Sequence, residues 1–200
     1  MVELAAFPTE IEQMDNPSLQ GRPICLVNSE QGSIVIAASS EAQASGIQIG
    51  MTWLMAKEHC PESVRVVARP ARYGEISRQI MAALRAFTPE VEVFASNEAF
   101  LDLTSCQSYY RHEPDVIGRL IKETVNAASS GLPCSIGISG DKTSARWAAK
   151  QQQGGLTLLH PEDAEERLRS IPLEELCGMG RGMVAFFAQY DVHCCGDMKK

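Results

Sequence analysis

Asn97 and Glu98 stand side by side in the stretch FASNEAFLDLT, between two apolar arms with the composition of β-strands. Two neighbouring acids at such a hairpin would hold divalent cations for chemistry on a phosphate, because clustered carboxylates bind Mg²⁺. Here one of the pair is an amide, which carries no charge. The stretch is therefore a working catalytic centre, a damaged one or a simple turn.

The elements around this hairpin are predicted from apolar periodicity and turn residues. Strands are expected at residues 2–7 (closed by Pro8), 22–27, 32–38, 64–67, 91–95, 99–103, 135–139 and 156–159. Helices are expected at 39–44, at 53–60 with Thr52 as N-cap, at 73–87, 116–127 and 143–150, and onward from Pro161. This order predicts an α+β fold in which a mixed sheet carries helices on one face.

The C-terminal stretch IPLEELCGMGRGMVAFFAQYDVHCCGDM predicts two short helices, at 173–176 and 182–190, joined through Gly178 and Gly180. Such a helix-hairpin-helix leaves backbone N–H groups open to a phosphate oxygen, and Arg181 adds a positive charge beside them. The alternative is a helical corner that needs glycine only for a positive φ angle. The residues favour neither alternative over the other.

The overall composition is that of an ordinary globular protein without a membrane span. Hydrophobic residues make up 44% of the 200 residues, and no apolar run reaches the ~18 residues of a transmembrane helix. The N-terminus carries acids and lacks the basic region of a signal peptide, so a cytoplasmic location is expected. A net charge of −7 argues against binding nucleic acid through bulk electrostatics, so any DNA contact must be local.

The cysteines indicate neither a disulfide framework nor a metal centre. There are seven, an odd number, and they form no CxxC pair. His59 beside Cys60, and His193 beside Cys194 and Cys195, lack the paired spacing of zinc sites. Reduced thiols of an intracellular protein are therefore expected.

The order of these motifs resembles that of the Y-family (UmuC/DinB-type) translesion DNA polymerases over essentially the whole chain. The similar stretches are MDNPSLQGRPICLV (14–27), IVIAASSEAQASGIQIGM (34–51), RYGEIS (72–77), SNEAFLDLT (96–104), GISGDKTSARWAAK (137–150) and the C-terminal glycine hairpin with CCGDM. The resemblance implies a palm at 1–12 and 68–165, inserted fingers at 13–67 and the start of a helix-hairpin-helix thumb at 166–200. The family continues into a further DNA-gripping domain, the little finger, which is absent from these 200 residues, so we expect a piece of a longer protein or a gene fragment.

The resemblance implies that three positions form the catalytic site, and two of them depart from the family's pattern. The first catalytic aspartate falls at Glu3, and the hairpin Asp-Glu pair falls at Asn97 and Glu98. Only Glu3 and Glu98 remain as metal ligands, and they would hold at most one cation weakly. The alternative is that both are exposed acids at strand ends. Asp102 is expected to act structurally, at the end of the hairpin.

The resemblance also implies that most triphosphate contacts have been replaced. The family's threonine, tyrosine and arginine of the fingers fall at Ala37, Ser40 and Gln43, and its phosphate-binding lysine falls within residues 151–153, which are glutamines. These changes remove a hydroxyl and a bidentate cation, so dNTP binding is expected to be weak.

The remaining implied contacts concern the sugar and the DNA. Phe7 is retained beside the family's sugar-screening aromatic position, which is Pro8 here, and Tyr73 either lies near a nucleotide or packs on the palm. Lys142 and Arg146 are one helical turn apart, so they contact a DNA backbone or form a solvated stripe. Gly178, Gly180 and Arg181 are the implied DNA contacts of the thumb.

The leading hypothesis is a catalytically degenerate, ImuB-like pseudoenzyme of DNA repair and translesion synthesis in the SOS response. Its partners would be primed or damaged DNA and a replication clamp or other repair proteins, with no membrane. One alternative is an active but atypical metal-dependent nucleotidyltransferase. A second is a protein-interaction module that never touches DNA. Mg²⁺ would be the cofactor of an active protein, and a degenerate one would need none.

Overall fold

The structure, a computed structural model, describes residues 1–106, 108–109, 113–176 and 178–199. Its strands are β1 (Val2–Glu3), β2 (Ile24–Val27), β3 (Ala37–Ala38), β4 (Val64–Val67), β5 (Val91–Ala95), β6 (Glu98–Leu101), β7 (Ser135–Ile138) and β8 (Leu156–Leu158). Its α-helices are α1 (Phe7–Asp15), α2 (Ser40–Ala44), α3 (Trp53–His59), α4 (Pro70–Leu84), α5 (Pro114–Ala128), α6 (Lys142–Gln151), α7 (Pro161–Leu168) and α8 (Arg181–Ala188). Short 3₁₀ turns lie at Pro17–Leu19, Thr104–Cys106, Leu173–Glu175 and Cys195–Lys199.

The larger sheet has the strand order β5-β6-β1-β7-β8. Strand β1 is antiparallel to both of its neighbours, whereas β7 and β8 are parallel. Although β1 is only two residues long, it lies at the centre of the sheet and is flanked on both sides. The predicted α+β fold with a mixed sheet is confirmed.

Helices cover both faces of this sheet, where the pattern predicted only one covered face. Val2, Ala99 and Ile136 are cross-strand neighbours that face the main core, to which α4 and α5 contribute their apolar residues. On the opposite face, α6 packs against β7 because Gly137 has no side chain. A Cβ atom there would lie 2.0 Å from the carbonyl oxygen of Ala145. The glycine therefore places α6 on the same face as Glu3 and Glu98.

A second, three-stranded sheet has the order β3-β2-β4 and forms the unit that the sequence assigned to the fingers. Helices α2 and α3 supply Ala42 and Ala56 to its own small core, together with Cys25 and Cys60. Leu26, by contrast, belongs to the main core, so β2 also contacts the larger sheet's unit. The proposed domain boundaries stay a prediction.

Two strand predictions were wrong. The chain leaves the strand after Glu3, turns at Ala6 in the left-handed region (φ 51°), and begins α1 at Phe7. Pro8 lies in the first turn of this helix and does not close a strand. Proline is tolerated there because the backbone N–H groups of a first helical turn have no acceptor within the helix, so the missing N–H costs no hydrogen bond. The strand expected at 32–38 is reduced to Ala37–Ala38.

Most other elements lie where the sequence predicted them. Helices α4 and α5, the β5–β6 hairpin and strand β7 are confirmed within a few residues at their ends. Thr52 caps α3 by accepting a hydrogen bond from the Met55 N–H, as its position predicted. Asp102 accepts a hydrogen bond from the Thr104 N–H at 2.9 Å, which confirms its structural role. Among the residues that the structure describes, no helix is both long and apolar enough to cross a bilayer.

Burial divides the described cysteines into two reactivity classes. Burial raises the pKa of the Cys25 thiol to about 11, with a smaller contribution from Cys60, and it raises the pKa of Cys134 to about 11 as well. At pH 8, the fraction of either cysteine in the reactive thiolate form is then on the order of one in a thousand. We expect Cys25 and Cys134 to resist alkylation in the native protein and to react fully in denaturant, as read by peptide mass spectrometry. Half-exposed Cys106 is the internal control, and native labelling of Cys134 at the rate of Cys106 would contradict this burial.

Candidate active site

Two carboxylates face each other across the centre of the larger sheet. Glu3 in β1 and Glu98 in β6 are direct cross-strand partners, and both side chains point to the face that carries α6. Glu98 is only 8% exposed, and Glu3 is half-buried. The alternative of exposed acids at strand ends is therefore wrong for Glu98. Because like charges in such a pair repel each other, the pair needs a nearby positive charge.

Arg146 on α6 supplies that charge to Glu98. Its Nη2 lies 3.0 Å from Oε2 of Glu98 and donates to Oε1 at 3.2 Å, and its guanidinium carbon lies 4.9 Å from the centre of the Phe94 ring. Lys142, one turn earlier, pairs with the exposed Glu92. The solvated-stripe alternative therefore fails for Arg146, which faces the acids. Contact of either residue with DNA stays a prediction.

The pKa of Glu3 shows how this face balances its charges. Burial raises the pKa of Glu3, and the nearby Glu98 carboxylate raises it further. Lys150 and Arg146, both on α6, act in the opposite direction. Two acids thus lie opposite two cations that are themselves one helical turn apart. The sequence prediction missed Lys150, although its four-residue spacing from Arg146 would have placed it on the same helix face.

Asn97 forms part of the connection between the hairpin and the first strand. Its side-chain Nδ2 donates to the carbonyl oxygen of Leu4 at 3.1 Å, while the Leu4 N–H donates to the Asn97 carbonyl at 2.9 Å. The side-chain amide therefore completes a two-bond bridge between residues 4 and 97. A carboxylate at this position has no proton to donate, so the bridge depends on the amide.

The donor groups at this face do not fit a pair of divalent cations. Such a pair needs several oxygen ligands with a surplus of negative charge. Here the Leu4 carbonyl is bonded to Asn97 and the Glu98 carboxylate is paired with Arg146. Within the described ranges, no group of three or more His, Cys, Asp or Glu side chains is arranged to hold a metal. Glu3 is the remaining acid.

A surface cleft of about 430 Å³ opens beside Glu3. It brings together several residues that the sequence singled out, although they lie in β1, in α2, in the β5–β6 turn and just after α6. Its lining consists of Glu3, Ala5, Ala6, Ser40, Gln43, Asn97, Ser135, Ala149, Lys150 and Gln153. The side chain of Gln43 donates to the Ala38 carbonyl at 2.8 Å, so its amide is engaged by strand β3. Ser40 and Gln43, which the resemblance assigned to the nucleotide, thus line the cleft as uncharged side chains, and Lys150 is the cationic residue of its lining.

Three other predicted nucleotide residues do not line this cleft. Phe7 is 1% exposed in the main core, and Ala37 is partly buried against that core. Tyr73 also lies in the core, where its hydroxyl donates to Glu12 Oε1 at 2.6 Å and accepts from the Arg69 N–H at 2.9 Å. Burial, and then the Glu12 carboxylate, raise the pKa of Tyr73 above its usual value. The structure thus places Tyr73 in the packed position of its two predicted alternatives.

The predicted thumb residues form a glycine turn ahead of a short helix. Gly178 has φ +86°, a backbone angle that glycine adopts readily because it has no Cβ atom. Gly180 is the N-cap of α8. Arg181 is the exposed first residue of that helix. This geometry is compatible with both a phosphate-binding hairpin and a helical corner. DNA contact at these residues stays a prediction.

Comparisons with known proteins agree on one family and one fold. The family description "impB/mucB/samB family" matches residues 2–150. DNA polymerase IV of Moorella thermoacetica is 34% identical over 197 residues, with 96% of this chain and 49% of that protein covered. DNA polymerase IV 1 of Halalkalibacterium halodurans is 32% identical over 202 residues, with 100% and 48% covered. The chain therefore spans about half the length of the curated relatives it matches.

Solved structures share the fold at low sequence identity. The crystal structure of DinB from Sulfolobus solfataricus superposes with a TM-score of 0.85 at 24% identity, covering 100% of this chain and 59% of that one. An insertion ternary complex of Dbh DNA polymerase gives 0.86 at 24% identity, covering 96% and 57%. The likeness extends over the larger sheet, the inserted smaller sheet and the C-terminal helices.

The buried position of Tyr73 predicts a structural effect without a binding effect. Tyr73→Phe removes the hydrogen bond to Glu12 and leaves that buried carboxylate with fewer donors, so we expect a loss of about 1–2 kcal/mol in the free energy of unfolding. Urea unfolding measures this loss. Tyr190→Phe, at a residue that is 66% exposed, serves as the control. If Tyr73→Phe were as stable as the wild type but altered dNTP binding, the nucleotide alternative would hold instead.

Proposed function

The chain belongs to the impB/mucB/samB family, that of the Y-family translesion DNA polymerases, and we propose that it serves DNA damage tolerance as a polymerase-like DNA-binding protein with impaired or lost nucleotidyl transfer. It would contribute the palm, the fingers and the beginning of the thumb. The observation that carries this proposal is the Asn97 side chain, which donates to the Leu4 carbonyl beside the retained acids.

The electrostatics of the acid pair support impaired catalysis. Phosphoryl transfer by two metal ions needs a negative site that attracts cations. In this chain Glu98 is already paired with Arg146, and the second hairpin acid of the family is a neutral amide. Mg²⁺ is the metal expected for the family, and these residues would hold it poorly. The protein's own contribution at this face is then to bind and position nucleic acid.

DNA is the proposed partner because the relatives and structural neighbours of this chain are DNA polymerases. Structural neighbours include a post-insertion binary complex and an insertion ternary complex of Dbh DNA polymerase, and the curated relatives are named as DNA polymerases. A net charge of −7 limits phosphate contacts to local sites, and we propose Arg181, at the start of α8, as one of them. A replication clamp and other repair proteins are further proposed partners, by family membership alone.

One observation favours a second candidate, an active but atypical translesion polymerase. Glu3, Lys150 and Gln153 line one open cleft, beside which Glu98 pairs across the strands with Glu3. A cation drawn to Glu3 and a triphosphate drawn to Lys150 would meet there. This candidate requires measurable dNTP binding and primer extension that depends on Glu98.

Calorimetry of dNTP binding, with Mg²⁺ and then Mn²⁺, separates the two candidates. For the wild type we expect no binding tighter than about 1 mM, because the fingers lack the bidentate cation that would hold the triphosphate. Glu98→Ala is the matched variant in a parallel primer-extension assay. If the wild type extended a primer and Glu98→Ala abolished that extension, the proposal of impaired catalysis would be wrong.

DNA binding is tested separately by fluorescence anisotropy on primed duplex over a range of salt. Arg181→Gln should weaken binding on every sequence and reduce the salt dependence by about one phosphate contact. Arg119→Gln is the control, since Arg119 is an exposed arginine of α5 paired with Asp115. If the wild type bound no DNA while it retained a protein partner in pull-down, the interaction-module hypothesis would replace this one.

A further inference from the structure

We infer that Asn97 is a positioning residue that takes the place of a divalent cation at the Leu4 carbonyl, so that the folded protein is indifferent to Mg²⁺ and Mn²⁺. Arg146 completes this arrangement by balancing Glu98. The inference deepens the proposed function, on which it rests, because it concerns the same acids. Asn97 and Arg146 then hold this face of the sheet together without a metal.

The Leu4 carbonyl lies at the end of the central strand, beside the acid pair in the sequence. Leu4 directly follows Glu3, whose cross-strand partner is Glu98. Leu4 as a whole residue is 1% exposed, so its carbonyl oxygen has little access to water. A carbonyl held in such a place needs a donor or a cation.

Asn97 supplies a donor to this carbonyl with a neutral group. The side-chain Nδ2 lies 3.1 Å from the Leu4 oxygen and presents the positive end of an amide dipole. The same two residues are also joined through the Leu4 N–H, at 2.9 Å. The Asn97 side chain therefore locks the start of β6 to the end of β1.

The carboxylates of this face lie near cationic side chains of α6. Glu98 is paired with Arg146 at 3.0 Å, and Lys150 lines the same cleft as Glu3. Two carboxylates thus face two cationic side chains, and no surplus negative charge is left for an added cation. An aspartate at position 97 would break this balance by one charge and would set a carboxylate oxygen against the Leu4 carbonyl.

An aspartate at position 97 would at the same time create a set of oxygen ligands. Its carboxylate, the Leu4 carbonyl and Glu3 are the hard oxygen donors that Mg²⁺ and Mn²⁺ prefer. The fold of Asn97→Asp should therefore depend on a divalent cation, whereas that of the wild type should not. This difference separates a cation substitute from an ordinary hydrogen bond.

The test is thermal unfolding in EDTA and in millimolar MnCl₂, for the wild type, Asn97→Asp and Asn97→Ala. We expect the wild-type Tm to be the same in both conditions. In EDTA, Asn97→Asp should fall by about 5 °C or more, and MnCl₂ should restore most of that loss. Asn97→Ala should fall by about 2–4 °C in both conditions, since it lacks both the donor and the ligand. Asn126→Asp, at an exposed position of α5, controls for the added charge.

Two results would overturn the inference. One is a wild type that MnCl₂ stabilises as much as it stabilises Asn97→Asp, and the other is an Asn97→Asp variant as stable as the wild type in EDTA. If Asn97→Asp fails to fold, Arg146→Gln takes its place, because it leaves Glu98 unbalanced. The Tm of Arg146→Gln should then rise with MnCl₂. An Arg146→Gln variant with the same Tm in EDTA and in MnCl₂ would refute the inference.

Failure of this inference and failure of the proposed function look different. Primer extension by the wild type, with the expected pattern of melting temperatures, would refute impaired catalysis and leave the role of Asn97 in place. A wild type that neither binds dNTP nor extends a primer, but gains stability from MnCl₂, would refute the inference and leave the proposed function.

Discussion

The repulsion between Glu3 and Glu98 is the constraint around which this structure is arranged. Two carboxylates that face each other across adjacent strands, one of them buried, cannot persist without nearby positive charge. The chain supplies it from α6, which approaches the sheet only because Gly137 leaves room for the Ala145 backbone. A residue without a side chain on one strand thus allows an arginine on a helix to balance an acid on another strand.

Helix α6 packs against the sheet with one face and directs cationic side chains toward the acids with a neighbouring face. Ala145 and Ala149 are buried with Met1 and Phe100 against the sheet. Arg146 and Lys150, each one position further along, reach toward the acids. Because an α-helix has 3.6 residues per turn, residues four apart point in nearly the same direction. The two alanines therefore share one face of α6, and the two cations share the neighbouring face. Packing of the alanines therefore fixes the place of the cations.

A second ionic cluster joins α1 to α4 on the side of the inserted unit. Glu12 is 4% exposed and accepts hydrogen bonds from Arg69 and from the Tyr73 hydroxyl. Asp15, one turn later on α1, pairs with both Arg69 and Arg72. These contacts bracket the segment between α1 and α4, which contains the smaller sheet. The two ends of that segment are thereby joined to each other, and Ser40 and Gln43, within the segment, line the cleft beside Glu3.

Local sequence determined much of the fold but little of the site. The helices α4 and α5 and the β5–β6 hairpin follow from periodicity and turn residues, and the order of motifs identified the family before any contact was known. The first helix was missed because an apolar run ahead of a proline looks like a strand, while the turn at Ala6 depends on a backbone angle that composition does not encode. Only the tertiary structure decided what Asn97 and Glu98 do, since their partners Leu4 and Arg146 are 93 and 48 residues away. Pairings over such distances are set by strand register and helix packing, which no short stretch of sequence contains.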